Sequence, residues 1–491
     1  MRQVFSWPWV EEQVAQTIEI WNDSVAPSTL AGRRFSLKEQ QEREKAYDEE
    51  LEAVEREAKR VPRTKAERLA AQGRITASFA RFSATALDLQ REAVQFLTDD
   101  FLPAGTKLAR WARRFDASLS MDDIIQACRN AWTACGLQPL LGERVGITPS
   151  ILGYSLLYPY SDNYLDRADI SAEEKLRFSE RFRDRLRGER LSAQDDREAA
   201  LWTLVTLIEE QYPRALYAQV FDCLLAIHRA QQDSIAQTSG GDSCDHGEVL
   251  RMSCAKGGSS VLADACLARG WLHEQESQFS FEWGVLLQLG DDLQDVHEDM
   301  QRGSITLFSR AAALGRPLDS LVTQLLNFSE RVGARMNDLP HGTPIFKELL
   351  RTSSRSLIVG AVAESYQFFT PEFLEEAEHC SPFRFAFLRE RRKRLTRRQG
   401  LYAVLFDIAA FLPAERFTRR MREMIGKLKT NMRRPGVDEI LIPGERSQRS
   451  AERNLNQGVA VPDETLTEIQ KWCDHFGIPF DSDEMERHTP A

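Results

Sequence analysis

Two acidic clusters are the parts of this chain whose residue types and spacing could do chemistry. The second and denser holds Asp291, Asp292, Asp295, Glu298 and Asp299 in Gly-Asp-Asp-Leu-Gln-Asp-Val-His-Glu-Asp. On a helix, Asp291, Asp295 and Asp299 stand at i, i+4 and i+8 with Asp292 one position aside, which puts four carboxylates on one face. Such a stripe repels itself. It also follows an apolar run from Phe279 to Leu289 and precedes Gly303, so it falls toward a helix C-terminus. There the macrodipole disfavours negative charge by about 0.3–1 kcal/mol per group. Something positive has to offset both penalties. Hard carboxylate oxygens select magnesium, which keeps several waters and bridges readily to phosphate oxygens.

The first cluster, Asp162 and Asp166 in Ser-Asp-Asn-Tyr-Leu-Asp, means little alone: with 74 acids in 491 residues, chance supplies about eleven pairs at that spacing. Its layout, however, repeats that of the second. Apolar and aromatic residues from Ile151 to Tyr160 lead into the carboxylates, and Ser171-Ala-Glu-Glu174 reads as the cap of a new helix after them. Neither cluster has a Lys or Arg between its own carboxylates, whereas solvated acidic faces usually carry one a turn away. Together the clusters predict a site for divalent cations and a polyphosphate.

The elements that must position these residues read as helices. From about Arg74, apolar residues recur at helical spacing, as in Ile75, Phe79, Phe82, Ala86 and Leu89, and strand-like alternation is nearly absent, so the expected fold class is all-α. Breaks are expected at Pro103-Ala-Gly105, Gly136 to Pro149, Gly188, Pro213, Ser239 to Gly247, Gly303, Gly315-Arg-Pro317 and Pro340 to Pro344. Residues 37–73 are dense in charge, the composition of a solvated helix or helical hairpin. The expected division is a charge-rich helical extension over 1–73, a core over 74–415, and a basic helix with a polar tail over 416–491.

Composition bounds the remainder. The net charge of -10 argues against nucleic acid as a partner. The basic run at 389–398, after Phe383, Phe385 and Phe387, reads as a solvated helix face, with peripheral contact to an anionic membrane as the second expectation. Eight cysteines without a paired C-x-x-C indicate neither a zinc site nor a disulfide framework. The longest apolar stretch, Tyr402 to Leu412, is too short to span a bilayer and contains Asp407, so a soluble cytoplasmic protein is expected.

The motifs resemble those of the class I isoprenoid synthases, the superfamily of trans-prenyltransferases, squalene and phytoene synthases and terpene cyclases. Gly290-Asp-Asp-Leu-Gln-Asp295 is similar to the second motif of the prenyltransferases, and Asp162-Asn-Tyr-Leu-Asp166 to the first in its D-x-x-x-D form. Lys256, in Ser-Cys-Ala-Lys-Gly-Gly-Ser-Ser, precedes the second motif much as a diphosphate-binding lysine does in that superfamily. The resemblance covers residues 75–415 and implies a helical bundle around a central cavity. It makes Asp162, Asp166, Asp291, Asp292 and Asp295 catalytic, and these with Asp299 ligands of three Mg²⁺ ions. Lys256, Arg251, Arg167 and Arg302 are then expected to clamp the diphosphate of a prenyl diphosphate substrate. Tyr154, Tyr158, Trp283, Gly284, Leu287 and Gln288 are expected to line a dry pocket, those on the second helix lying about 6 and 12 Å deeper than the acids. An aromatic stripe at helical spacing is more often plain core.

The activity implied is ionisation of the prenyl diphosphate by a terpene synthase, with a condensing prenyltransferase, chain-elongating or head-to-head, as the alternative and a non-catalytic helical scaffold as the reading from another class. Two departures stand out. Asp166 is followed by Arg167-Ala-Asp-Ile-Ser and not by an arginine pair, and the second motif is the acidic version rather than the Asn/Ser/Glu form usual in cyclases. Because class I prenyltransferases are often dimers, a homodimer is also expected.

Overall fold

Helix starts are written into side chains along this protein. Thr64 with Glu67, Ser120 with Asp123, and Ser171 with Glu174 each form a reciprocal capping box, the hydroxyl accepting from the third backbone N–H while the acid accepts from the cap's own N–H. Pro344 and Pro371 open helices behind Thr343 and Thr370, where the missing N–H costs nothing. Stops are equally local: Gly188 and Gly303 end helices in the left-handed conformation, at φ of 100° and 72°.

The structure is a computed structural model that describes residues 4–25, 30, 32–58, 60, 64–165, 167, 170–238, 246–398, 414–430, 439–441, 445, 449 and 453. Its helices are α1 (Trp7–Asn22), α2 (Leu37–Ala58), α3 (Lys65–Thr85), α4 (Arg91–Gln95), α5 (Leu102–Phe115), α6 (Met121–Leu140), α7 (Pro149–Leu165), α8 (Ala172–Arg187), α9 (Asp196–Gln211) and α10 (Ala218–Thr238). They continue with α11 (His246–Arg269), α12 (Glu274–Gln294), α13 (Val296–Arg302), α14 (Leu307–Ala313), α15 (Asp319–Arg335), α16 (Pro344–Glu364), α17 (Pro371–His379), α18 (Phe385–Arg398) and α19 (Ala414–Lys429). Among the described residues there is no strand, and the fold is all-α. No described helix is long and apolar enough to cross a membrane. The chain divides into two compact units, Met1–Tyr402 and Ala403–Ala491. In the second, α19 ends at Lys429, whose ammonium pairs with Glu445 at 2.5 Å.

In the first unit α11 is the central element. Its second half is buried on every side, by Leu262, Ala265 and Cys266 among others, as a helix in the middle of a large helical core must be, while its first half buries Val249 and Cys254. Its most intimate neighbour is α12. A Cβ on Gly257 would fall 2.6 Å from the Gly284 carbonyl oxygen, so the two backbones approach to a distance only glycine permits. Around this pair stand α6, α7 and α10, with α7 held to α9 through Gly153, whose missing Cβ would lie 2.7 Å from the Leu204 carbonyl oxygen.

Three expectations about organisation change. Residues 1–73 do not form one appendage: α1 is built into the core, with Val10 and Val14 buried, Trp9 edge-on to Phe281 at 6.0 Å and Trp21 edge-on to Phe328 at 5.8 Å. The charge-rich hairpin begins only at α2, and its second helix, α3, runs through position 73 to Thr85. Pro103-Ala-Gly105 breaks nothing, because Pro103 sits in the first turn of α5, and α6 runs through Gly136 and Pro139 to Leu140.

Candidate functional site

The second acidic cluster lies at the end of α12. Asp291 and Asp292 occupy its last turn, Asp295 (φ −93°, ψ 7°) is the joint, and α13 carries Glu298 and Asp299. The single straight helix the spacing suggested is therefore bent. The ladder nevertheless continues through the joint: Asp295 N–H donates to the Asp291 carbonyl at 2.9 Å and Asp299 N–H to that of Asp295 at 2.8 Å. As a result Asp291, Asp292, Asp295 and Asp299 all line one cavity of about 850 Å³.

Asp292 is the buried member, 6% exposed. Across the glycine contact, α11 presents Ser253, whose hydroxyl donates to Asp292 Oδ2 at 2.8 Å, while Gln288 Nε2, one turn back on α12, donates to Oδ1 at 2.8 Å. Burial pushes the Asp292 carboxyl up to about 6, against these two hydrogen bonds and the Lys256 charge. Burial also pushes Asp299 up to about 6, with repulsion from Asp292 and Asp295 adding to it. The cluster is thus short of positive charge.

Lys256 lines the same cavity and, among the described residues, makes no ion pair or hydrogen bond. Arg129 of α6 reaches Asp291 Oδ1 at 3.3 Å, and Arg302, also on the cavity wall, pairs with Glu298 at 3.3 Å. The same walls also carry apolar side chains, Leu157 of α7, Leu224 and Ile227 of α10, Val249 and Val261 of α11, and Leu287 of α12, with polar ones such as Asn130 and Asp264 among them.

The other residues singled out in the sequence divide. Tyr154, Gly284, Leu287 and Gln288 line the cavity, and so does Ser161, next to Asp162. The side chains of Asp162 and Tyr158, and all of Asp166, lie outside the described residues. Asn163 donates to Asp123 Oδ1 at 2.8 Å, tying this end of α7 to the start of α6. Three residues stand elsewhere. Trp283 is core, stacked on Phe279 at 5.8 Å, because the position eight before Asp291 has turned away from the cavity by the time the helix reaches it. Arg251 is exposed and off the cavity wall, its face of α11 pointing outward while that of Lys256 points in, and Arg167 is exposed beyond the end of α7.

Several cavity residues escaped the sequence reading. Arg129, Asn130 and Ser253 carry no pattern of their own. Asp264 and His228 did leave a signal, a lone polar residue inside an apolar helical run, Val-Leu-Ala-Asp-Ala-Cys-Leu and Leu-Leu-Ala-Ile-His. His228 is buried at the cavity edge beside Ser179, and burial pushes its imidazole down to about 4.

Among the described residues no three His, Cys, Asp or Glu side chains are grouped tightly enough to hold a cation alone. The donor set still suits Mg²⁺, which is bound by one or two carboxylates and completes its octahedron with water and ligand phosphate oxygens. Asp291, Asp295 and Asp299, which line the cavity with Asp292, are the groups that could supply those carboxylates.

Comparison with known proteins corrects the family expectation. The family whose sequence model matches is malate/L-lactate dehydrogenase, over residues 382–470, and no isoprenoid synthase family is found. No curated protein and no solved structure matches the chain. The assignment to the class I isoprenoid synthases, and with it the terpene synthase and prenyltransferase activities, is therefore overturned. A few carboxylates at helical spacing are compatible with cation binding in many folds and do not identify an ancestry. The matched stretch is under a fifth of the chain and contains none of the cavity-lining residues, so it does not carry that family's activity to the cavity.

Proposed function

We propose that the protein binds, with the help of Mg²⁺, a ligand made of a phosphate or diphosphate head and an apolar body, a class to which prenyl diphosphates belong. One observation carries this reading: a single cavity gathers four carboxylates and the cations of Lys256, Arg129 and Arg302 against walls of Leu157, Leu224, Ile227, Val261 and Leu287. Its volume of about 850 Å³ suits a small amphipathic molecule. Carboxylates alone repel phosphate and Lys256 alone is one charge, so head and cation have to enter together, each neutralising what the other lacks.

The test is thermal denaturation with Mg²⁺ alone, inorganic diphosphate alone, both together, and Mg²⁺ with decyl diphosphate. Stabilisation is expected to be small for either component alone, clear for both, and largest for decyl diphosphate with Mg²⁺. Asp291→Ala is expected to remove the Mg²⁺-dependent part. Equal stabilisation by diphosphate with and without Mg²⁺, or none from the decyl chain, overturns the reading.

A further inference from the structure

Inside the cavity, away from the acidic cluster, α11 places one more carboxylate. Asp264 lies two turns beyond Lys256, about 12 Å along the helix, and lines the cavity with only 2% of its surface exposed. Its Oδ1 accepts from Asn130 Nδ2 at 3.3 Å, and Asn130 is itself within 3.4 Å of the Ser155 hydroxyl. Its Oδ2 is buried with no hydrogen-bond partner among the described residues. Among the described residues the side chain has no cation paired with it, and the helix around it is otherwise filled with Val261, Leu262, Ala263, Ala265 and Cys266. Packing alone is better served there by leucine, because an unmatched buried carboxyl oxygen weakens the fold.

We infer that Asp264, fixed by Asn130 on the inner wall of the cavity, recognises an oxygen-bearing group, a hydroxyl or a carbonyl, on the part of the ligand far from its phosphate head. The inference rests on the reading of the cavity given above and narrows the ligand to one that is polar at both ends and apolar between. Burial drives the Asp264 carboxyl well above the ordinary aspartate range, which favours the neutral acid, a form that can donate as well as accept. Asn130 occupies one oxygen and leaves the other without a partner among the described residues.

Decyl diphosphate and its ω-hydroxy derivative test this by calorimetry in the presence of Mg²⁺. The wild-type protein is expected to bind the hydroxylated chain roughly tenfold more tightly or better, since a buried polar group left unpaired penalises the plain chain. Asp264→Leu is expected to erase or reverse that preference while keeping Mg²⁺-dependent binding of the plain chain, and Asp264→Asn to keep part of it. The same ranking of the two chains in wild type and Asp264→Leu overturns this inference alone. Failure of both chains to bind in a Mg²⁺-dependent way overturns the reading of the cavity and this inference with it. Should Asp264→Leu fail to fold, Asn130→Ala, which frees the carboxyl to turn, is expected to reduce the preference as well, and an unchanged preference there counts against the idea.

Discussion

The Ser253 hydroxyl and the Asp292 carboxylate meet at 2.8 Å across the α11–α12 contact, and this one hydrogen bond ties the acidic cluster to the helix that carries Lys256. Ser253 lies one turn before Lys256, so the orientation of the carboxylate and the position of the ammonium are set by the same element. Ser253→Ala removes the donor and leaves Asp292 to Gln288 alone. Groups that orient carboxylates next to a cation typically contribute a factor of ten or more to its affinity, so Mg²⁺ binding by Ser253→Ala is expected to weaken roughly tenfold with helicity unchanged. Calorimetric titration of Mg²⁺ in the presence of inorganic diphosphate measures it, and an affinity within a factor of two of wild type contradicts it.

Asp292 also makes the stability of the protein depend on pH in a particular direction. Its carboxyl titrates near 6 in the folded chain and near the ordinary 3.8 when unfolded. Between those values the unfolded chain has already released the proton that the folded chain keeps, so this group's contribution to stability falls as pH rises, and the loss is complete above about 6. Asp292→Asn removes the ionisation while retaining a side chain that can bond Ser253 and Gln288. Without cations, urea denaturation of the variant and the wild type is expected to give curves that agree at pH 4 and separate toward pH 7, the variant being more stable by up to about 3 kcal/mol. With saturating Mg²⁺ and diphosphate the order reverses, because the cation favours the ionised form. A gap that is constant across pH shows that burial of this carboxylate is not what the cluster works against.

Lys256 offers a separate handle, because among the described residues it makes no ion pair or hydrogen bond and acts on Asp291, Asp292 and Asp299 only through its field. A charge-assisted bond to phosphate is worth about 1.5–3 kcal/mol, so Lys256→Ala is expected to weaken binding of inorganic diphosphate by about ten- to a hundredfold at saturating Mg²⁺. Arg251→Ala, on the outward face of the same helix, is expected to leave it unchanged. If the two variants weaken binding equally, the distinction the structure draws between the inner and outer faces of α11 is wrong.

The sequence disclosed the helical class and the crowding of Asp291, Asp292, Asp295 and Asp299 because both are local: periodicity and i, i+4 spacing are set within a few turns. It did not disclose Arg129, Asn130 or Ser253, whose relation to those acids exists only once α6 and α11 are packed beside α12. Trp283 misled for a related reason, since a helix drifts by 80° over eight residues, enough to move a ring from the cavity wall into the core. α1 was hidden behind the charge of the hairpin that follows it. Its apolar stripe of Val10, Val14, Thr17 and Trp21 is short, and only the partners Phe281 and Phe328 show that it belongs to the core. The family expectation failed at the step from chemistry to descent, which the spacing of carboxylates cannot supply.

Gly284 puts the whole arrangement to a single mechanical test. A Cβ there would stand 2.9 Å from the Gly257 carbonyl carbon and from Val261 Cβ, and the first of these is backbone, which cannot swing aside as a side chain can. Gly284→Ala therefore has to push α12 away from α11, at a cost of about 1–3 kcal/mol from the strain of overpacking. The displacement also lengthens the reach from Ser253 and Lys256 to Asp292, so cation binding suffers beyond what the loss of stability explains. Gly360→Ala in α16 is the matched control: nothing lies within 4 Å of the added carbon, and replacing a helical glycine there is expected to stabilise by up to about 1 kcal/mol. Urea denaturation and Mg²⁺ titration of both variants measure the two effects. A Gly284→Ala protein as stable as wild type and with wild-type Mg²⁺ affinity shows that the α11–α12 approach is not what positions the cluster.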